Sequence, residues 1–315
     1  MTVYNGFIRP LRNLIITAVA VLIGTLSAQP LFSQNISSLK QDISTDTLQV
    51  DAGGFKLYML KKGNKKGLTV IMENGLCGTA HRWNKLDDSI SVNHTVVTYD
   101  RAFVGKSEKG NPDRRAEIVS KELKTALNNA QISGPYVLIG YSLGGYYVKA
   151  FARSYPNEVK GILLIDPLNS AEFYREYKIN FPENYELDIS PLKDIKAEHP
   201  CYNEISFAVN ETVYGNDSVP LRIPTYMLIS SLAQDTASLL QSVKEYENGK
   251  SLDTGKLING NIKLQKLWVK HQLKWASAFA NVKTEVTNEC THGMHHERFD
   301  IIWRAFQKLM EEVAK

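Results

Sequence analysis

Gly140-Tyr141-Ser142-Leu143-Gly144, followed by Gly145, stands directly after the apolar run Tyr136 to Ile139 and ahead of a helical stretch. A strand that must reverse into a helix within one turn forces its central residue into a strained backbone geometry, and small neighbours keep side chains from colliding there. Ser142 then projects its hydroxyl above a sheet edge, while the Leu143 N–H, at the start of the helix, is available to stabilise an oxyanion. A hydroxyl is a weak nucleophile, so it needs a base near neutral pKa and a third group to orient that base. His292 is the candidate base: it comes first in the His292, His295, His296 cluster, after the small pair Cys290 and Thr291. His295 and His296 read as helix-starting or solvent-facing residues. Two aspartates compete for the orienting role. Asp166 ends the run GILLID and Asp235 follows the run in IPTYMLISSLAQD, both at what should be the C-terminal edge of the sheet. Asp235 is preferred, because Asp166 has an alternative task in bonding loop amides beneath the site. The turn Glu73-Asn74-Gly75-Leu76-Cys77-Gly78 offers the Leu76 N–H as a second oxyanion donor, and Cys77 reads as a small apolar filler.

Other chemistries lack their residues. The histidine cluster has no H-E-x-x-H pattern and no carboxylate or thiolate set beside it, so no metal is expected. The phosphate loop G-x-x-x-x-G-K-[ST] and the G-x-G-x-x-G fingerprint are both absent, which argues against a nucleotide cofactor; no cofactor of any kind is expected. The 37 Lys and Arg against 33 Asp and Glu alternate in sign instead of forming a basic stripe, so nucleic acid is not an expected partner. Cys77, Cys201 and Cys290 allow at most one internal disulfide.

The elements that must position these residues follow from periodicity. Thr47 to Leu60, with Gly53-Gly54 between two apolar-rich runs, predicts an edge hairpin. Buried strands are expected at Leu68 to Met72, Thr95 to Tyr99, Tyr136 to Ile139 and Ile162 to Ile165, with amphipathic helices at Arg115 to Ala130 and Gly144 to Tyr155 between them. Strands alternating with helices imply a mostly parallel sheet with right-handed crossovers. The alternation pauses over about 168–219, a stretch rich in Glu, Asn, Tyr and Pro that fits a small lid insertion over the C-terminal edge. It resumes with a strand at Tyr226 to Ile229, a helical region at Asn261 to Ala280, a last strand at Val282 to Thr287 and a closing helix that carries Phe299, Ile302, Phe306, Leu309 and Val313. At the other end, Arg9 and Arg12 precede the uncharged run Leu14 to Leu26, which reads as an export signal. As a helix that run covers only about 20 Å, short of a hydrocarbon core, so no stable membrane span is expected. Cleavage is expected after Ser27, with a site as late as about residue 34 as the alternative, giving an exported protein, periplasmic or secreted; anchoring at the membrane by an uncleaved N-terminal segment is the less favoured alternative.

Taken in order, ENGLCG at 73–78, YDRAFVGKS at 99–107, GPYVLIGYSLGG at 134–145, GILLIDP at 161–167 and HGMHHERF at 292–299 resemble the α/β-hydrolase superfamily, especially secreted or periplasmic members with E-x-G-L and Y-D-R motifs. The resemblance runs over about residues 47 to 313. It implies the α/β-hydrolase fold across 47–315, with Ser142 as nucleophile, His292 as base, Asp166 or Asp235 as acid, and no cofactor. Departures from the family pattern are Asn74 where a histidine is usual, Tyr141 inside the elbow, Phe299 for a proline, and the lack of a glycine in the turn before Asp235. The implied activity is metal-independent hydrolysis of a small carboxylic ester or lactone through an acyl-enzyme. A peptide or amide hydrolase of aminopeptidase type and a noncatalytic binding protein on the same scaffold are the alternatives. Lid tyrosines, Tyr174, Tyr177, Tyr185, Tyr202 and Tyr214, are expected to offer flat apolar walls with polar tips.

Overall fold

A computed structural model describes residues 44–63, 67–83, 85–168, 170–189, 200–210, 219–245 and 252–315. The export signal and both expected cleavage positions lie outside the described residues, as do 190–199 and 211–218 of the expected lid, including Tyr214.

The described residues begin with the hairpin that Gly53 and Gly54 call for. Strands β1 (Thr45–Asp51) and β2 (Lys56–Gly63) pair antiparallel, and the Asp51 carboxylate accepts the N–H groups of Gly53 and Gly54 at 3.0 and 3.1 Å to close the turn. There follow β3 (Thr69–Glu73), α1 (Lys85–Ser91), β4 (Thr95–Tyr99), α2 (Ala116–Asn129), β5 (Tyr136–Tyr141), α3 (Leu143–Ser154) and β6 (Val159–Ile165). Helices α4 (Ala171–Asn180), α5 (Pro182–Asp188) and α6 (Asn203–Asn210) occupy the insertion. The chain then runs through β7 (Thr225–Ser230), α7 (Thr236–Glu245), α8 (Thr254–Ala276), β8 (Val282–Thr287), the single turn α9 (Met294–Glu297) and α10 (Phe299–Val313).

The strands form one eight-stranded sheet in the order β1-β2-β4-β3-β5-β6-β7-β8, antiparallel at β1, β2 and β4 and parallel from there on. The central strands are buried except near their starts, at Thr69 of β3 and Lys160 of β6, because helices cover both faces, and alternate residues serve opposite cores. Ile71, Leu138, Ile162 and Met227 face Leu123, Leu127, Val148 and Phe151 of α2 and α3. Val70, Val137, Leu163 and Leu228 face Ile90 of α1 and Ile302, Phe306 and Leu309 of α10. This is the α/β-hydrolase fold.

Two boundaries differ from expectation. Helix α8 begins at Thr254, because the Asp253 carboxylate accepts the Lys256 N–H at 3.0 Å and so caps the helix seven residues ahead of Asn261. A helix unread in the sequence, α7, lies between β7 and α8. Its start is fixed by Asp235, whose carboxylate accepts both the N–H and the hydroxyl of Ser238 at 2.9 and 2.6 Å.

Candidate active site

Parallel strands place their C-terminal ends at one sheet edge, and β5, β6, β7 and β8 are neighbours there. Ser142, one residue past β5, has φ 52° and ψ −122°, a left-handed conformation that a non-glycine residue adopts only where its surroundings impose it. Those surroundings are close: a Cβ at Gly144 would stand 2.2 Å from the Glu73 carbonyl oxygen. The reversal is zipped to the next strand, with the Ser142 N–H donating to the Ile165 carbonyl at 3.0 Å and the Leu168 N–H donating to the Ser142 carbonyl at 2.8 Å.

His292 stands over this turn. Its Nε2 lies 2.9 Å from Ser142 Oγ, and its Nδ1 lies 2.6 Å from Asp166 Oδ2. The side chains differ in burial: Asp166 is 1% exposed and His292 46%. The remaining oxygen of Asp166, Oδ1, accepts from the Ser230 N–H at 2.9 Å, from Trp268 Nε1 at 3.1 Å and from Gln272 Nε2 at 3.2 Å. A carboxylate that only accepts at Nδ1 leaves the imidazole's proton there, so Nε2 is the bare acceptor that faces the Ser142 hydroxyl. Such a chain can draw a proton off the hydroxyl as its oxygen attacks an electrophile.

The structure brings Asp166, and not Asp235, to the imidazole. Asp166 follows β6 with no intervening residue, and β6 is the direct neighbour of the strand that ends in the serine turn. Asp235 is five residues beyond β7, exposed, and committed to the cap of α7. Its hydrogen bonds from Ser238 hold its carboxyl below the usual range. A D-x-x-S run ahead of a helix is a capping signal, and position after a strand alone does not separate the two aspartates.

The loop that carries His292 is tied at several points. Glu297 accepts the Thr291 N–H at 2.8 Å and also the Thr291 hydroxyl, while the Ser230 hydroxyl donates to the Cys290 carbonyl at 2.7 Å. Tyr141, next to the serine, donates its hydroxyl to the His292 carbonyl at 3.0 Å and stacks on the imidazole with ring centroids 5.3 Å apart. Tyr141 thereby holds this loop. Trp268 sets its ring edge against His292 at 5.6 Å. Neither Trp268 nor Gln272 was singled out from the sequence; their four-residue spacing on α8, which aims both at one point, was the available signal.

His295 and His296 do not join this chain. His295 Nε2 accepts from Arg82 Nε at 3.0 Å, and its ring packs on Tyr141 at 4.1 Å. Burial, together with the Arg82 charge, pushes its pKa down to about 2, so it is a neutral ring. Among the described residues no group of three or more His, Cys, Asp or Glu side chains is arranged to hold a metal ion.

The two candidate amides come from loops that touch. The Leu143 N–H is the first of α3 and has no carbonyl one turn back to bond. Gly75, which precedes Leu76, lies against the serine: a Cβ on Gly75 would stand 3.3 Å from Ser142 Cβ. Cys77 is not an apolar filler. It forms a disulfide with Cys201 just ahead of α6, which binds the turn to the insertion across 124 residues of sequence. Asp100 and Arg101 support the loops. Asp100 accepts the N–H groups of Ala80 and Lys106 at 2.6 and 2.8 Å. Arg101 is buried between Glu73 and Glu204. Burial works against its charge, yet the two carboxylates hold the pKa well above the ordinary arginine value. Trp83 lies in the core beneath the sheet.

Comparison with known proteins agrees with this architecture. A family model for the alpha/beta hydrolase fold matches residues 69–193. The chain is 29% identical over 132 residues to the uncharacterized protein YbdG of Bacillus subtilis (strain 168), covering 42% of this chain and 40% of that protein. It is 24% identical over 206 residues to Lipase 3 of Moraxella sp. (strain TA144), covering 65% of this chain and 64% of the lipase. The matches thus span less than two thirds of either relative's own length. Among solved structures, the 2-hydroxy-6-oxo-6-phenylhexa-2,4-dienoate hydrolase of Rhodococcus sp. strain RHA1 superposes with a TM-score of 0.59 at 12% identity, covering 87% of this chain and 100% of that one. At that identity the likeness is one of fold.

Proposed function

We propose that this chain is a serine hydrolase that cleaves a small carboxylic ester or lactone through an acyl-enzyme on Ser142. The observation that carries the reading is the unbroken relay from Asp166 through His292 to Ser142, with spacings of 2.6 and 2.9 Å. As Ser142 Oγ attacks the carbonyl carbon, His292 Nε2 takes its proton, and the buried Asp166 stabilises the imidazolium that results. Negative charge moves to the carbonyl oxygen, where the Leu76 and Leu143 amides receive it; a single such donor contributes about 2.7 to 4 kcal/mol in other enzymes. The imidazolium then protonates the departing alcohol. Water enters, loses a proton to His292 and releases the acid, restoring Ser142. His292 is half exposed, so solvent reaches its ring.

Similarity to Lipase 3 favours an ester as substrate. Helices α4 to α6 and the turn that leads into α6 would act as the lid that sets substrate shape; Tyr174, Tyr177, Tyr185 and Tyr202 are buried there. Export is the companion proposal. The Cys77–Cys201 disulfide supports it, since such bonds persist in oxidising compartments. Among the described residues no helix is long and apolar enough to cross a membrane.

The test is turnover of a panel of short-chain esters, lactones and peptide amides by the parent and by Ser142→Ala. Ester or lactone turnover that disappears in the variant is the expected result. Peptide turnover without ester turnover would overturn the substrate class.

A further inference from the structure

An oxyanion amide is useful only while its N–H points steadily at the place where charge develops. Leu76 sits in a short turn between β3 and the polar loop that follows, where no strand ladder fixes its peptide. Two donors hold its carbonyl side: the Gly78 N–H of the same turn donates to the Gly75 oxygen at 3.2 Å, and a side chain from another loop binds that oxygen more closely, at 2.8 Å. All five N–H donors of Arg101 are engaged. Nη1 donates to Glu73 Oε1 and to the Asn74 carbonyl, both at 2.7 Å. Nη2 donates to the Gly75 carbonyl at 2.8 Å and to Glu204 Oε2 at 2.7 Å, and Nε donates to Glu204 Oε1 at 2.8 Å. The guanidinium also lies 5.1 Å over the Tyr147 ring on α3, the helix that supplies the Leu143 amide.

In a trans peptide the carbonyl of one residue and the N–H of the next point in opposite directions. Drawing the Gly75 oxygen onto Arg101 therefore turns the Leu76 N–H away from Arg101, next to a glycine that lies against Ser142. We propose that Arg101 is a positioning residue for the oxyanion site: it aims the Leu76 amide, and Glu204 of the inserted helix α6 fixes its own orientation by a two-point bond. The inference rests on the reading of Ser142 as nucleophile. It adds a dependence of the catalytic rate on a residue of the insertion. The Cys77–Cys201 bond reinforces the same coupling, joining the turn covalently to the residues that lead into α6.

The experiment uses p-nitrophenyl acetate as substrate, a fluorophosphonate as active-site titrant and a trifluoromethyl ketone as a mimic of the tetrahedral adduct. Arg101→Lys keeps the charge but cannot span two carbonyls and Glu204 at once. Glu204→Gln keeps the shape of its side chain and breaks the two-point match with Nε and Nη2. For Arg101→Lys, kcat per titrated site should fall about tenfold or more, toward the 10²- to 10³-fold seen when a whole donor is lost, with KM within about twofold. The inhibition constant of the ketone should rise in step with the loss in kcat/KM. Glu204→Gln should show the same pattern at smaller amplitude. A purely structural role would lower the number of titratable sites and leave kcat per site alone. Labelled variants with parental kcat per site would overturn the positioning role. If Arg101→Lys yields no titratable protein, Glu204→Gln decides. A parent that takes up no fluorophosphonate would instead overturn the nucleophile reading itself, and this one with it.

Discussion

Between the two aspartates the decision is one of geometry, and it can be measured. Asp166→Asn would present an N–H to the imidazole and favour the wrong tautomer, so kcat should fall by about 10⁴-fold, the loss seen for such a change in a well-studied triad. Asp235→Asn should leave kcat unchanged. An asparagine caps a helix about as well, whereas Asp235→Ala should lower stability by about 0.5 to 2 kcal/mol through α7, read by thermal melting with activity as the control. The meeting of Ser142 and His292 was legible in the sequence because each residue depends on a local pattern: a glycine-framed turn after a strand, and a histidine between the last strand and the last helix. The carboxylate that pairs with His292 was not legible. Both aspartates follow strands, and the difference lies in Ser238, which engages Asp235, and in Ser230, Trp268 and Gln272, which converge on Asp166 from three places in the chain.

The loop between β8 and α10 gives a prediction in pH. His295 is held neutral down to about pH 2 in the fold, against an ordinary value of 6.5. Burial and the Arg82, His296 and His292 rings and charges around it all act in that direction. Below pH 6.5 the unfolded chain therefore binds a proton there that the native chain refuses, so stability is full above that pH and is lost as pH falls toward 2. His295→Gln can still accept from Arg82 and has nothing to titrate. The drop in Tm between pH 7 and pH 5 should be smaller in that variant than in the parent; an equal drop would remove His295 from the account of acid lability. Strands and long helices were legible at this scale because burial on one or both faces writes a period into the chain. Helix α7 and the early start of α8 were missed because both depend on capping aspartates, Asp235 and Asp253, rather than on periodicity.

Across the molecule, one covalent bond joins the insertion to the sheet. Denatured without reductant, the chain should expose one thiol, Cys290, and after reduction three. In the native state even Cys290 should resist maleimide, because burial pushes its thiol up to about 12. Cys77→Ala should cost stability on the scale of about 2 to 4 kcal/mol, seen as a lower denaturation midpoint. The sequence bounded the number of disulfides but could not pair them: Cys77 and Cys201 meet only because α6 folds back over the front of the sheet, where Glu204 finds Arg101. The parallel architecture itself was legible, since alternating apolar strands and amphipathic helices admit few other arrangements.

The most direct measurement is peptide mapping of the protein after reaction with a fluorophosphonate probe. The account predicts a single adduct on Ser142, its formation slowed severely by His292→Ala. An adduct on another residue, or labelling of Ser142→Ala equal to that of the parent, would contradict it.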